Sequence, residues 1–249
     1  MLDDTQIDKL ACDLIDSIDL AAHLKSFEWA KETLQPAWTR RQLLQRDGFG
    51  DSVQQYADRV HVWGFDVPVS PRVRLHADFS RSMGTLCEAW SDKVHPSTNE
   101  DALSSLAALL AVPDLGIARV TKFVCFLDQQ RYAIYDSRVS YALKDLSLDG
   151  GWRVFPFVGG RQPKEKNFVY GEAILNSPRK SSTVYLSFLR LLARAAQKLN
   201  DKGGISEPDL RQVVGEQWSP ALLEMALFMA GKDRLRNPSI RRLQPGFWH

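Results

Sequence analysis

The residues of this sequence best suited to bind an anion surround a tight turn, Val112-Pro-Asp-Leu-Gly116, between two predicted helices. The first backbone N–H groups of the second helix have no partner within that helix, and the helix dipole favours negative charge there. Gly116 carries no side chain that would keep a phosphate away. The turn therefore predicts contacts with nucleic-acid phosphates. The predicted DNA-binding residues here are Gly116, Ile117, Ala118, Arg119 and Thr121.

A carboxylate follows this turn, because Asp136 lies 20 residues beyond Gly116 at the predicted start of another helix. The turn and this spacing resemble the helix–hairpin–helix DNA glycosylases, whose turn usually reads Leu-Pro-Gly-Val-Gly and whose essential Asp occupies that place. Further similarity, to bacterial proteins described as 8-oxoguanine-glycosylase-like, lies in three short stretches. These are Thr121–Leu127, Tyr132–Val139 and Glu224–Phe228 with Gly231 after it.

The resemblance implies an all-α fold of two packed helical lobes, with the helix–hairpin–helix at about 99–128 and an active-site cleft between the lobes. We expect a single domain over 1–249, a monomer without cofactor or metal. The implied partner is double-stranded DNA with a damaged or modified base. The implied activity is cleavage of the N-glycosidic bond of that base after it is flipped out of the helix, in base-excision repair or in defence against viral DNA with modified bases.

Asp136 is the predicted catalytic carboxylate. Cleavage of an N-glycosidic bond develops positive charge on the sugar, which a carboxylate can stabilise while it also activates the attacking group. The alternative role is a plain helix N-cap, which Asp performs well and which contributes about 0.5–2 kcal/mol. The two roles are compatible.

The sequence departs from the family pattern at two positions. Asp114 stands where the first glycine of the turn is usual, which places an acid near the expected phosphate. Ala118 stands where bifunctional members carry a catalytic lysine. Lys122 follows one helical turn later on the same face and could reach the same cleft. We predict a functional role for Lys122 as nucleophile, phosphate ligand or contact to the leaving base, with a surface lysine as the alternative.

An extruded base must be held between apolar or aromatic faces. The candidates for this pocket are Tyr135, Trp152 and Phe155, although most aromatic side chains belong to the core. Further arginine and lysine side chains could hold phosphates, or could be ordinary solvated residues. They are Arg138, Arg161 and Lys164.

Several other classes of protein are excluded. The three cysteines (Cys12, Cys87 and Cys125) have no spacing typical of a zinc site or a disulfide framework, and the histidines show no metal-binding pair. No phosphate-binding P-loop or serine-hydrolase motif occurs. The acidic N-terminus does not resemble a signal peptide, and no apolar run could span a membrane. We therefore expect a cytoplasmic protein with no membrane partner.

Apolar spacing predicts helices through most of the chain. We expect helices at 7–18, 24–34, 78–94, about 99–111, 117–127, after Asp136, 182–199, 208–218 and 220–231. The segments 35–77 and 150–177 should be irregular because they hold several glycines and prolines. The capping residues should include Ser97 with Glu100, and Ser206 with Asp209.

Two alternatives to a glycosylase remain open from sequence. A non-catalytic helix–hairpin–helix module would bind DNA through the same turn without needing the carboxylate. A helical scaffold would instead use the acidic first helix, 2–20, to bind a protein partner.

Overall fold

The computed structural model describes residues 2–29, 31–47, 52–91, 100–159, 168–170 and 177–236, and within these ranges the protein is mostly helical. The helices are α1 Asp4–Ser17, α2 Leu20–Lys25, α3 Leu34–Asp47, α4 Val53–Phe65, α5 Pro71–Arg74, α6 Ala77–Ser91, α7 Glu100–Ala111, α8 Ile117–Cys125, α9 Ser137–Ala142, α10 Pro178–Asp201, α11 Pro208–Val214 and α12 Pro220–Arg236. Two small antiparallel sheets pair β1 Glu28–Trp29 with β2 Glu32–Thr33, and β3 Ser147–Leu148 with β4 Trp152–Arg153.

The core is built around α10 and α12, which contact each other. Helix α10 starts with Pro178 in its first turn, where proline is tolerated, and it also contacts α1 and α7. Every residue of α12 from Ala221 to Gly231 is buried. Because neighbours surround α12 through α9, α2 and α10, its buried stretch is apolar apart from Glu224, as expected for a central helix.

The acidic first helix packs against α10. Its apolar face of Ile7, Leu10 and Leu14 is buried, and its carboxylates pair with the basic residues of the long helix. Asp8 pairs with Arg194, and Asp4 accepts a hydrogen bond from Arg190 at 2.6 Å. At least two acidic residues of α1 are therefore used to attach it to the body of the protein.

The prediction that 35–77 is irregular is wrong, because this region holds α3, α4 and α5. Helix α4 begins at a capping box in which Ser52 and Gln55 exchange hydrogen bonds. It buries Tyr56 and Val60 on one face and ends at Asp66 in the left-handed conformation. Burial of this face outweighs the weak helix preference of Gly64.

The predicted helix over 24–34 is also wrong. Helix α2 ends at Lys25. The hairpin of β1 and β2 follows, with two residues in each strand, and Lys31 between the strands has a positive φ of 68°. Helix α3 then begins at Leu34, so that Pro36 lies in a first turn rather than ending a helix. Trp29 therefore belongs to strand β1 of this hairpin rather than to a helix.

Near the C-terminus, the caps differ from those predicted. The N-cap of α11 is Glu207 rather than Ser206, without a side-chain hydrogen bond. Helix α12 does not end at Gly231 but continues to Arg236. A Cβ on Gly231 would lie 1.9 Å from the Arg138 carbonyl oxygen, so this glycine permits close packing of α9 against α12 rather than ending the helix.

Other predictions are confirmed. Helix α8 starts at Ile117 and α9 starts directly after Asp136. The first predicted helix is α1, and α10 covers the predicted 182–199. Ser97 of the predicted capping box lies outside the described residues. None of the helices in the described ranges has the length and apolar character needed to cross a membrane.

The close packing of α9 on α12 gives a stability prediction. Replacement Gly231→Ala should destabilise the protein by about 1–3 kcal/mol, because the added methyl group must displace the Arg138 backbone. Gly84→Ala is the matched control, since it lies in helix α6 and its added Cβ would meet nothing within 4 Å. The free energy of unfolding of that variant should rise by about 0.4–1 kcal/mol. Urea unfolding measures both, and equal effects would contradict the packing argument.

Candidate active site

A cavity of about 330 Å³ lies among α4, α8, α12 and the segment before α9. Its volume is within the range of about 300–1,000 Å³ typical of ligand pockets. Its aromatic wall residues are Phe27, Trp29, Trp63, Phe65 and Phe228. Its charged residues are Arg41, Lys122, Asp136, Arg138 and Glu224. A cavity with aromatic walls and both signs of charge can hold a flat polar molecule.

Helix α8 delivers two residues to this cavity, Ala118 and Lys122. They are one helical turn apart, so their side chains lie on the same face. Asp136 also lines the cavity, from the extended residue that precedes α9. The structure therefore brings together the predicted carboxylate and the predicted amine, which are separated by 14 residues in sequence.

Asp136 caps α9. Its Oδ1 accepts hydrogen bonds from the backbone N–H groups of Arg138, at 2.9 Å, and Val139, at 3.0 Å. Among the residues that the structure describes, Oδ2 accepts no hydrogen bond. The N-cap role and a role in the cavity thus use different oxygens of one carboxylate.

Two contacts fix the backbone around Asp136. The N–H of Tyr135 donates to the Thr121 hydroxyl at 3.0 Å, which ties this segment to α8. The Arg138 backbone lies against Gly231 of α12. Because the chain on both sides of Asp136 is anchored to helices, the carboxylate has little freedom to move.

Lys122 is buried, with 6% of its surface exposed. Its ammonium group lies 4.9 Å from the centre of the Phe65 ring, and within the described part of the chain it forms no hydrogen bond or ion pair. Burial lowers the pKa of Lys122, while the negative charges of Asp136 and Glu224 oppose that shift. A larger fraction of this amine is therefore neutral than for an exposed lysine.

Gly64 makes room for this side chain. A Cβ at position 64 would lie 2.7 Å from Cδ and 2.8 Å from Cε of Lys122. The last turn of α4 must therefore carry glycine for the lysine to follow its present path.

A buried ion pair joins Arg41 of α3 to Glu224 of α12, with 2.6 Å between Nη2 and Oε2. Each residue is only 2% exposed. Arg41 also donates through Nε to Gln129 at 3.1 Å, and Gln129 donates back to the Arg41 carbonyl oxygen at 2.8 Å. Burial raises the pKa of Glu224, and the adjacent guanidinium opposes this. The ion pair and these hydrogen bonds offset the cost of burying the two charges.

Cys125 completes the same cluster. Its Sγ accepts from Arg41 Nη2 at 3.3 Å and donates to the Tyr132 carbonyl oxygen at 3.6 Å. Burial raises the pKa of the thiol to about 12, so the thiol stays protonated and is not a nucleophile at neutral pH.

The aromatic walls carry cations of the protein itself. Arg138 lies 4.6 Å from the centre of the Phe228 ring, and Arg41 lies 5.9 Å from that of Trp63. Trp29 meets Trp63 edge-on, with 4.3 Å between ring centres. Arginine side chains of the protein thus lie over the rings of Phe228 and Trp63.

At the turn before α8, Asp114 has a positive φ of 67°, which explains why glycine suits this position. Its carbonyl oxygen accepts from Arg119 Nη1 at 2.5 Å, and its carboxylate lies 3.4 Å from Arg72. Gly116 is the exposed N-cap of α8 and forms no side-chain capping bond. The positive charges of Arg119 and Arg72 thus offset the negative charge of Asp114 beside the predicted phosphate contact.

The three residues predicted to form a base pocket do not line this cavity. Tyr135 is buried in the core and donates its hydroxyl to the Pro156 carbonyl oxygen at 2.7 Å. Phe155 is buried beside Phe188. Trp152 is 47% exposed and lines a separate depression. Two of these rings belong to the core because apolar burial stabilises the fold.

The predicted DNA contacts are placed differently from one another. Thr121 is fully buried, and its hydroxyl binds the Tyr135 backbone, so it has a structural role. The side chain of Ile117 is buried, whereas Arg119 and Arg138 are partly exposed. Arg161 and Lys164 lie outside the described residues.

Sequence reasoning missed most of the cavity wall. Trp29, Trp63 and Phe65 come from segments whose structure was predicted wrongly. Glu224 and Phe228 carried a usable signal, because they are four residues apart on one predicted helix and therefore share a face. Within the described ranges, no group of three or more His, Cys, Asp or Glu residues could hold a metal ion.

Removal of one partner of the buried ion pair should be costly. Arg41→Met leaves the Glu224 carboxylate buried without its cation, and we expect the free energy of unfolding to fall by about 3–5 kcal/mol. The double variant Arg41→Met/Glu224→Leu should recover much of that loss, because both charges are gone. Lys25→Met, which breaks the exposed pair with Asp209, should change little. If denaturant unfolding finds the double variant no more stable than Arg41→Met, this account is contradicted.

Lys122→Met should stabilise the protein by about 1–3 kcal/mol at neutral pH, because burial disfavours the charged amine. In the unfolded chain Lys122 keeps its proton up to an ordinary pKa of about 10.4, whereas in the folded chain it loses the proton at a lower pH. The stability of the parental protein therefore rises with pH between the folded and the unfolded pKa of Lys122. Over that range the stability advantage of the variant should shrink. Unfolding curves at several pH values measure this gap. A gap that widens with pH, or the same trend in partly exposed Lys144→Met, would count against it.

Comparison of this chain with protein-family models, with curated proteins and with solved structures found no match.

Proposed function

We propose that this protein is a DNA glycosylase that extrudes a damaged or modified base from double-stranded DNA and cleaves its N-glycosidic bond. The observation that carries the proposal is the cavity lined together by Asp136, Lys122 and several aromatic rings. Enzymes that act on a base must take it out of the stack and hold it between such faces.

The proposed place of the base is between the aromatic walls. Trp29, Trp63 and Phe228 line these walls, and Glu224 offers a hydrogen-bond acceptor beside them. Among the described residues, Arg41 occupies Oε2 of Glu224 and Oε1 has no partner. A base with an N–H group on its edge could donate a hydrogen bond to this second oxygen of the carboxylate.

Asp136 supplies the proposed chemistry. As the bond between C1′ and the base nitrogen breaks, positive charge develops on the sugar ring. A carboxylate held beside C1′ stabilises that charge, and it can accept a proton from the attacking group. The oxygen that is not used in capping α9 suits this role, because it needs no rearrangement of the helix.

The segment from α7 to α8 is proposed as the helix–hairpin–helix that binds the DNA backbone. Support comes from the N-terminus of α8, where the exposed N-cap residue is Gly116. Its position supplies no capping side chain for the first backbone N–H groups of the helix. Arg119 and Arg72 add positive charge beside it. Phosphate held here would set the position of the strand relative to the cavity.

Asp136→Asn tests the mechanism without removing the cap, since Asn and Asp are equally good N-caps. We expect base release to fall by about 10²–10⁴-fold while DNA binding and stability stay near parental values. Asp136→Ala should lose activity to the same degree and also lose about 0.5–2 kcal/mol of stability. The measurement is mass spectrometry of bases released from a panel of oxidised and bulky modified duplexes.

The outcomes separate the proposal from its rival. Base release by Asp136→Asn at the parental rate would show that the carboxylate is not catalytic. A parent protein that binds duplex DNA with a steep salt dependence, but releases no base from any duplex, would instead be a non-catalytic DNA-binding module. Weak binding with a flat salt dependence would support a protein-binding scaffold.

A further inference from the structure

We propose that a groove between α1 and the hairpin of β3 and β4 binds a segment of this same chain, residues 237–249, through an exposed tryptophan and several carboxylates. The segment follows Arg236 and lies outside the described residues. The groove shares no lining residue with the cavity that holds Asp136. This inference is therefore independent of the proposed glycosylase activity.

The groove consists of two depressions, of about 440 Å³ and about 260 Å³. Lys9 of α1 lines both of them, so they adjoin at this residue. Trp152 of β4 lines the larger depression, and Arg234 of α12 lines the smaller one. Three segments far apart in sequence thus form one surface, with the tryptophan toward one end and the end of α12 toward the other.

Trp152 is the apolar feature of this groove. Its exposed fraction is 47%, although tryptophan is on average highly buried. Gly150 and Gly151, which precede it, have positive φ values of 80° and 77°. A Cβ on Gly150 would lie 3.4 Å from Cδ1 of Trp152, so the turn lies against the ring. A ring supported in this way offers apolar area at low entropic cost to an aromatic or aliphatic side chain.

Carboxylates outnumber cations among the residues that line the groove. Asp13, Asp145 and Asp149 face only Lys9 and Arg234. Lys9 donates to Asp13 at 2.7 Å, which raises the pKa of Lys9, and the charge of Asp149 acts in the same direction. One ammonium group is therefore shared between two carboxylates. Such a surface attracts further positive charge and repels the phosphates of DNA.

The composition of 237–249 complements this surface. The segment holds two arginines, Arg241 and Arg242, and no acidic residue. It also holds four large apolar side chains, of which Phe247 and Trp248 are aromatic. The arginines suit the carboxylates, and an aromatic side chain suits the exposed ring of Trp152.

The segment also starts in the right place. Helix α12 ends at Arg236, and Arg234 donates to the Ala142 carbonyl oxygen at 3.0 Å and to Asp145 at 3.4 Å. Residues 237–249 therefore follow directly from the edge of the groove. Residues 5–13 of α1, which run along it, span about 12 Å. Thirteen residues can extend up to about 40 Å, so the segment can reach every part of the groove.

Hydrogen–deuterium exchange of the full chain, read by mass spectrometry, tests this proposal. We expect amides of 237–249 to exchange at least about 10-fold more slowly than in a free peptide of the same sequence. Trp152→Ala and Asp149→Lys should each bring that exchange back toward the free-peptide rate. Asp209→Lys is the matched control, because it reverses an exposed carboxylate of α11 outside the groove, and it should change nothing.

Several outcomes would overturn the proposal. In the parental protein, exchange of 237–249 at the free-peptide rate would show that the segment is not bound. Slow exchange that persists in both groove variants, or that is lost equally in Asp209→Lys, would place the segment elsewhere. Slow exchange that disappears on dilution would show that the groove binds the segment of a second copy. Unchanged exchange of the core helix α10 verifies that each variant is folded, and the charge reversal Arg241→Glu/Arg242→Glu repeats the test without altering the groove.

Discussion

The ion pair between Arg41 and Glu224 is the interaction on which the rest of the site depends. It joins α3 to α12 at the wall of the cavity, and Gln129, which follows α8 closely in sequence, completes its hydrogen bonds. Three segments far apart in sequence are thereby held around one space. A buried ion pair contributes little net stability over an apolar core, but it is costly to break, and it requires its partners to take up one arrangement. The protein obtains a cavity of defined shape in this way.

A second consequence is that the site itself is not optimised for stability. Lys122 is buried without a hydrogen-bond or ion-pair partner in the described part of the chain, and Gly64 gives up helix propensity to make room for it. Both features cost free energy that apolar residues would not. Such local costs are common at functional sites, which agrees with the role proposed for this cavity. The large apolar core around α10 and α12 offsets them.

The position of the carboxylate follows from packing rather than from its own hydrogen bonds. Asp136 would cap α9 in the same manner wherever that short helix lay. The absence of a side chain at Gly231 lets the Arg138 backbone dock on α12, and the Thr121 hydroxyl fixes the preceding residue. One carboxylate oxygen then serves the helix and the other remains for a ligand, which reconciles the structural and the proposed catalytic role.

The sequence by itself determined the helical class, the start of α8 after Gly116 and the position of Asp136 before α9. These are local matters, set by apolar periodicity, by proline and glycine, and by capping chemistry. It also pointed to Lys122, through its spacing from Ala118. Only the tertiary structure decided which aromatic rings line the cavity. Tyr135 and Phe155 belong to the core, while Trp63 and Phe65 reached the site from a segment expected to be irregular, and Trp29 from one expected to be helical. Periodicity shows which face of a helix is buried, but not against what, because contacts between distant segments are set by packing of the whole chain. The same reason explains why Gly231, read as a helix end, is a point of contact between α12 and α9.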